Sequence, residues 1–430
     1  MLHHEHPDIK KLLLTGKSGL EKESLRIYDD GHFSHTAHPF PDDSCLVRDF
    51  CENQLEINTK VAATPEGALR DLIYHHRKAE QALHVLPVPE YLWPFSNPPY
   101  IRNEDDIPVA QFSGDQRSKT AYRNYLAEKY GKYKMTFCGI HFNYSLSDEL
   151  LHADFAFSEE TNFNKYRDRL YLNTARNLMR NGWIITVLCA ASPLLDGSFL
   201  NRDDAGKTVF SGMASTRCSE LGYWNHFVPV INYHSVFTYA DGIREMVQDG
   251  MIASQTEYYY PVRLKSRGEN SLDELEKTGI DHIELRNIDL NPYAEAGICI
   301  EDLKFMQLLV VYDSCIHSGE LSKEEQITAE LNFKNASHYD IDIAKILSNG
   351  VSLSVRQASA RLLDQMDTFF TDKDAREIID FQRQKLTGKS ARYAVRVHAD
   401  FAEGFVKRGM EYTIKKAGLS HLNCSPSSRQ

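Results

Sequence analysis

Polar and apolar residues alternate in two widely separated stretches, Gly19-Leu20-Glu21-Lys22-Glu23-Ser24-Leu25-Arg26 and His282-Ile283-Glu284-Leu285-Arg286-Asn287. A period of two belongs to an extended chain, which sends residues i and i+2 to the same face. Each stretch therefore reads as a strand that aims a charged pair at one surface, Glu21 with Glu23 and Glu284 with Arg286. The first strand, Glu21 to Tyr28, meets Asp29-Asp30-Gly31, a hairpin turn, and a second extended run covers Leu46 to Asn58. Thr64 as N-cap and Pro65 at the first helical position open a helix through about His84. Proline-rich turns follow from Leu86 to Pro99, and a second helix is expected from Lys119 to Lys132. Lys134 to Leu146 alternates again, around His141 and Asn143.

Helices are expected to fill much of Glu159 to Ala191. The apolar stretch Gly182 to Leu195 contains Pro193 and is too short to span a bilayer, so it reads as a core helix. Tyr258 to Pro292 reads as strand, short helix, strand, with Ser271-Leu272-Asp273-Glu274 as a capping box and Gly279 as the stop. Beyond Glu301 apolar residues fall at helical spacing in Leu303 to Cys315, Val351 to Phe370 and Ala375 to Leu386. Strands first and helices after imply an α+β fold. The expected organisation is a single catalytic domain over 1–430, with a sheet core at 1–300 carrying the site and a mainly helical packing region at 301–430.

Composition narrows the class. Hydrophobic content of 42% and charged content of 25% belong to an ordinary globular chain. A net charge of −11 argues against a general nucleic-acid binder, which needs a basic surface. The eight cysteines (45, 51, 138, 189, 218, 299, 315 and 424) form no CxxC and no paired spacing, which suits reduced thiols in a cytoplasmic enzyme. No cationic start followed by an apolar run is present, so neither a signal peptide nor a membrane anchor is expected. His3, His4 and His6 read as incidental.

Five segments carry candidate chemistry: Glu21/Glu23, Asp49/Glu52/Glu56, His141/Asn143, Arg217 and Glu284/Arg286. Carboxylates brought close together repel unless a hard cation neutralises them, and several oxygens with one imidazole suit two or three octahedral Mg²⁺ or Mn²⁺ ions. Asp49 and Glu56 are seven residues apart, so they share a face only if the chain bends at Asp-Phe-Cys-Glu-Asn. Metals beside arginines suit phosphoryl transfer. No GxxxxGK[ST], GxGxxG after a strand, or GxSxG occurs, so phosphate must be held by metals and basic side chains. Arg263, Lys265 and Arg267 alternate on a strand and could serve for ATP; a solvated basic edge fits that pattern equally. Either acidic motif alone reads equally well as a half-buried strand with ordinary surface charges.

Taken in order, GLEKESLRI, DFCENQLEI, LWPFSNPPYI with Val109-Ala110-Gln111-Phe112, GIHFNYSL, SELGYWN and YYYPVRLKSRGENSLDELEKTGIDHIELRNIDLNPY resemble the motifs of bacterial glutamate–cysteine ligase. The resemblance runs from about residue 19 to 297. It implies a glutamine-synthetase-like fold, an antiparallel or mixed sheet bent into a funnel with helices outside. It implies ligation of the L-glutamate γ-carboxylate to the α-amine of L-cysteine, with ATP as co-substrate, through γ-glutamyl phosphate. The family's metal ligands fall on Glu21, Glu23, Asp49, Glu56, His141 and Glu284. Arg286 matches the arginine facing the transferred phosphate, and Arg217 the one gripping the glutamate α-carboxylate. Phe50, Tyr122, Tyr223 and Tyr259 match the aromatic cysteine pocket, with core packing as the competing reading, and Asn143 joins the substrate set. No ATP-grasp pattern follows residue 300, so the one-step form is expected, with small-molecule substrates and no obligatory protein partner. Cys51, Cys138 and the Tyr258-Tyr259-Tyr260 run leave a related ligase using another amine as the alternative. A non-catalytic binding relative and a metal phosphatase fit the carboxylate set less well.

Overall fold

The computed structural model describes residues 1–348 and 350–424, with side chains to residue 418, so the Cys424 side chain lies outside it. The strands are β1 (Gly16–Ile27), β2 (Leu46–Arg48), β3 (Gln54–Asn58), β4 (Tyr91–Leu92), β5 (Ile140–Leu146), β6 (Leu194–Asp196), β7 (Thr208–Phe210), β8 (Val262–Lys265), β9 (His282–Ile288), β10 (Lys345–Ser348) and β11 (Val351–Ser354). A seven-stranded sheet runs in the order β2-β3-β1-β5-β9-β8, with β4 paired to β1, and each of its pairings is antiparallel. Long β1 lies between β3 and β5, so whatever its side chains carry stands mid-sheet. The α+β expectation holds.

β1 shows how alternation divides the sheet's faces. Glu21 and Glu23 point to one face, and Lys22 between them is buried on the other, its Nζ 3.1 Å from His76 Nδ1 on the helix Pro65–His84. That helix opens with the Thr64 side chain accepting from Gly67 N–H and Pro65 in its first turn, as its sequence requires. The helix Ile300–Cys315 is buried around nearly its whole circumference. It packs against the helices Phe163–Asn181, Pro65–His84 and Lys373–Thr387. One hydrophobic cluster runs from Leu2 to Met410. Among the described residues no helix is long and apolar enough to cross a membrane.

Several expected elements change shape. The turn at Asp29-Asp30-Gly31 forms, with Gly31 at φ +85°, but its return strand shrinks to a single bridge between Ile27 and Phe33. The following residues spend their polar groups elsewhere: Ser34 Oγ donates to Glu90 Oε1 (2.7 Å), and Arg26 Nη2 donates to Thr36 O (3.0 Å). Lys134–Thr136 is a 3-10 turn rather than strand, and the strand begins only after Gly139. The expected helix from Val351 starts at Val355, because Gly350 (φ +75°) turns the chain and Val351–Ser354 pairs with β10. Ser354 then caps the helix in a box with Gln357, a signature legible in the sequence. The stretch Gly182 to Leu195 is helical only over Trp183–Cys189, and Pro193 leads into β6. Several helices lie outside the expected set, among them Pro7–Leu12, Asp148–Phe155, Val236–Gln248, Lys323–Ala336, Tyr393–Phe401 and Phe405–Cys424, and of these Val236–Gln248 and Lys323–Ala336 each open with a capping box.

One buried group in the helical layer carries a pH prediction. Asp313 is fully buried; Asn181 Nδ2 donates to its Oδ1 (2.8 Å), while its Oδ2 has no hydrogen-bond partner. Burial lifts its carboxyl from 3.8 to about 8. Between those values the folded chain holds a proton that the unfolded chain has released, so its contribution to stability falls as pH rises through that window. Asp313→Asn is expected to flatten this decline and to exceed the parent by on the order of 1 kcal/mol above the window. Urea denaturation on either side of the window reads the difference; equal slopes for parent and variant would contradict it.

Candidate active site

Strand register builds the site. In the β1–β3 pair Glu23 stands opposite Glu56, and in the β1–β5 pair Glu21 stands opposite His141. In the β5–β9 pair Asn143 faces Glu284, which in turn faces Arg263 on β8. The bend expected between Asp49 and Glu56 is a tight return: Asp49 N–H donates to Gln54 O (3.1 Å), and Val47 pairs with Glu56. The β5–β9 register slips between Ile140 and Phe142, an irregularity of the kind that re-aims side chains beside active sites.

These rows open on one cavity of about 1050 Å³. Glu21, Glu23, Asp49, Glu56, His141, Glu284, Arg217, Arg286, Lys265, Phe50, Tyr122, Tyr223 and Tyr259 all line it. Asn143, Arg263 and Arg267 do not. Asn143 stands behind Glu21, donating from Nδ2 to Oε1 (3.0 Å), and so orients that carboxylate. Arg263 lies 3.7 Å from Glu284. β8 ends at Lys265, and Arg267 is 66% exposed beyond it, 2.9 Å from Asp281, so the expected three-residue basic row loses its last member. Glu52, grouped with Asp49 and Glu56 on sequence, turns away and accepts from the His38 and Gln111 N–H groups (both 3.1 Å) and from Arg48.

Glu21, His141 and Glu284 bring one ligand atom each within 4.8 Å of one another. His141 Nδ1 lies 2.9 Å from Glu21 Oε2, while its Nε2 is buried without a hydrogen bond, 3.9 Å from Glu23 Oε1. An imidazole nitrogen left open among carboxylates, with no thiolate in the set, fits a hard divalent cation. Among the described residues no other group of three potential ligands comes this close.

Electrostatics divides the carboxylates into two groups. Burial opposes ionisation of Glu284, yet Arg286 (3.1 Å), Lys265 (3.3 Å) and Arg263 hold its carboxyl well below the usual range. Burial likewise opposes Glu21, but its bond to His141 brings it below its ordinary value. Glu23 and Glu56 go the other way. Burial raises Glu23, and Asp49 adds to it. Burial raises Glu56 well above the usual range, and Asp49, Glu21 and Glu23 add to it. Burial and the mutual repulsion of carboxylate charge on the Glu23–Glu56–Asp49 side therefore favour the protonated forms of Glu23 and Glu56.

Two arginines face this charge. Arg286 joins Glu284 at 3.1 Å and is held fully ionised. Arg217 comes from a loop, and its Nη1 donates to Arg286 O (2.8 Å) where the β9 register slips. Its guanidinium lies flat on Gly139; a Cβ there would stand 2.3 Å from Arg217 Cζ. Gly139 N–H also donates to Glu23 Oε2 (2.9 Å), so one glycine touches both charge partners. Part of the lining is an aromatic wall: Tyr223 and Tyr259 have ring centroids 4.2 Å apart, and burial pushes the hydroxyls of Tyr122, Tyr223 and Tyr259 upward.

Sequence reasoning passed over a basic rim on the same cavity. Arg48 and Arg123 flank the Phe112 ring at 4.3 and 4.7 Å, with Lys119 and Lys134 also lining it. No single period marks the set, because Arg48 ends β2, Lys119 and Arg123 lie one turn apart on the helix Arg117–Tyr130, and Lys134 opens a 3-10 turn. The seven cysteines with described side chains are free, and Cys51 and Cys138, beside ligand motifs, are buried.

A family model described as glutamate–cysteine ligase matches residues 3–251 and 228–336. The glutathione biosynthesis bifunctional protein of Listeria monocytogenes is 30% identical over 435 residues, covering 94% of this chain and 54% of that protein. The chain thus spans about half the length of the bifunctional relatives it matches. A glutamate–cysteine ligase of Leptospira interrogans is 30% identical over 474 residues, covering 96% of this chain and 89% of the relative. Among solved structures, a bifunctional glutathione synthetase from Pasteurella multocida aligns with a TM-score of 0.82 at 28% identity, over 97% of this chain and 54% of that one. A glutamate–cysteine ligase from Francisella tularensis in complex with AMP aligns with a TM-score of 0.85 over 96% and 90% of the two chains. At 19% identity that second likeness concerns the fold alone. With the family model matching most of the chain and a relative 30% identical over 96% of it, this chain belongs to the glutamate–cysteine ligase family.

Proposed function

We propose that this chain joins the γ-carboxylate of L-glutamate to the α-amine of L-cysteine, converting ATP to ADP and phosphate. The observation that carries this reading is the placement of six ligand candidates, two arginines and an aromatic wall on one cavity large enough for a nucleotide and an amino acid. Glu21, Glu23, Asp49, Glu56, His141 and Glu284 would hold Mg²⁺, with Mn²⁺ able to take the same oxygen-rich set. Bound divalent cations there supply charge neutralisation for the triphosphate.

A carboxylate is a poor electrophile, so the γ-oxygen of glutamate first attacks the γ-phosphorus of ATP, and ADP leaves. The amine then attacks the acyl carbon of γ-glutamyl phosphate; the C–O bond breaks, phosphate leaves and takes up the amine proton. Arg286, held ionised by Glu284, faces the transferring phosphoryl group. Arg217 presents its planar fork to the substrate α-carboxylate. Phe50, Tyr122, Tyr223 and Tyr259 exclude water from the acyl phosphate and receive the cysteine side chain. Lys265 stands where it can meet the nucleotide's phosphates. The seven free cysteines with described side chains support a cytoplasmic setting.

ADP release with glutamate and a panel of amines, with and without Mg²⁺, tests the reading. Cysteine-dependent, Mg²⁺-dependent release is expected; release with a different amine alone would shift the acceptor, and none with any amine would defeat the proposal. Gly139→Ala is expected to displace Arg217 and raise the glutamate KM by roughly tenfold, about 1.4 kcal/mol, with the ATP KM little changed. An unaltered glutamate KM would remove Arg217 from the carboxylate site.

A further inference from the structure

The aromatic wall is assembled from three segments distant in sequence. Tyr122 comes from the helix Arg117–Tyr130, and Tyr223 and Tyr259 from stretches that are neither helix nor strand. No sheet pairing sets their spacing, yet Tyr223 and Tyr259 pack as tilted rings (41°) at 4.2 Å and Tyr130 packs edge-on to Tyr259 at 5.6 Å.

Behind the wall a single buried carboxylate ties these segments together. Glu257 is fully buried; its Oε1 accepts from Lys129 Nζ and from Tyr130 Oη, both at 2.6 Å, and its Oε2 accepts from Ala253 N–H at 2.6 Å. Asn225 closes the junction. Its Nδ2 donates to Tyr130 Oη (3.1 Å) and to Glu257 O (2.8 Å), and its Oδ1 accepts from Tyr259 N–H (3.0 Å). The helix carrying Tyr122, the loop carrying Tyr223 and the segment carrying Tyr259 thus meet at Glu257 and Asn225. Neither of these residues, nor Tyr130, lines the cavity.

An apolar residue of similar size would fill this space without the cost of burying a charge, but it would impose no direction. Charge-assisted hydrogen bonds fix distance and angle together, and a fully satisfied buried network is rigid. We infer that Glu257 is the positioning residue of the amine-binding wall: by locking Tyr122, Tyr223 and Tyr259 relative to one another, it sets which amine the enzyme accepts. This rests on the ligase reading above and on its assignment of the aromatic wall to the amine.

Glu257→Gln cannot meet all three donors, because its amide nitrogen must face at least one N–H or O–H. Steady-state kinetics on the full chain, varying cysteine, glutamate and ATP separately, provide the test. Glu257→Gln is expected to raise the cysteine KM by roughly tenfold and to erode the preference for cysteine over serine or 2-aminobutyrate by about fivefold or more. The glutamate and ATP KM values are expected to stay within about twofold. Tyr130→Phe removes one hydroxyl and should shift the same quantities in the same direction by less, which keeps the test alive if Glu257→Gln does not fold. Three KM values rising together, or lost thermal stability with the amine preference intact, would overturn the positioning role. The parent's own amine-dependent ADP release tests the ligase reading separately: parent turnover with unchanged variant selectivity sinks this inference alone.

Discussion

Glu21→Gln is expected to lower glutamate- and cysteine-dependent ADP release by roughly 10²–10³-fold, the usual scale for losing one preorganised electrostatic partner. Glu21 carries its charge at the centre of the sheet, with one oxygen oriented by Asn143 (3.0 Å) and the other at His141 (2.9 Å). Glutamine preserves the shape but removes the charge, and its amide nitrogen must turn a donor toward either the Asn143 amide or the imidazole. Glu21 is still 31% exposed at its side chain, so the fold tolerates the change and thermal stability should be nearly unaltered. Titration of the variant with Mn²⁺, followed by paramagnetic resonance, separates lost metal from lost chemistry. Near-normal turnover with intact metal binding would take Glu21 out of the metal-holding set.

Glu56→Gln is expected to act in opposite directions on activity and stability. Glu56 faces Glu23 across the β1–β3 pair, and burial, then Asp49, Glu21 and Glu23, raise its carboxyl well above the usual range. A carboxyl raised in this way contributes most on the acid side of its unfolded value, 4.5, and its contribution is lost as pH rises through the folded value. In metal-free buffer near neutrality Glu56→Gln should therefore be more stable than the parent, by about 1–2 kcal/mol. Mg²⁺ binds the folded chain only, so it should stabilise the parent more than the variant and close or reverse the gap. Turnover should fall sharply. Melting curves with and without Mg²⁺ read both halves; a variant less stable than the parent without metal would show that Glu56 is satisfied without a cation.

Much of the site was legible because it rides on strands. Alternation alone put Glu21 with Glu23 and Glu284 with Arg286 on common faces, and the ladder then placed His141 opposite Glu21 and Glu56 opposite Glu23. The bend between Asp49 and Glu56 followed from parity. Roles set by where a strand ends were not legible: Arg267 falls past the end of β8, and Asn143 supports Glu21 rather than lining the cavity. The same holds for side chains that meet through tertiary packing. Glu257, Asn225 and Tyr130 carry no shared period, and the basic rim of Arg48 and Arg123 around Phe112 forms only when the end of β2 and the helix Arg117–Tyr130 converge. Capping boxes at Ser235, Ser322 and Ser354 were legible signals whose helices lay outside, or began beyond, the expected elements.

The central claim is that the cavity activates a carboxylate as an acyl phosphate before the amine arrives. Turnover with glutamate labelled with ¹⁸O in its γ-carboxylate, together with ATP, Mg²⁺ and cysteine, tests it most directly. The account predicts one ¹⁸O atom in each phosphate released and none in ADP. Peptide formation with unlabelled phosphate would contradict it.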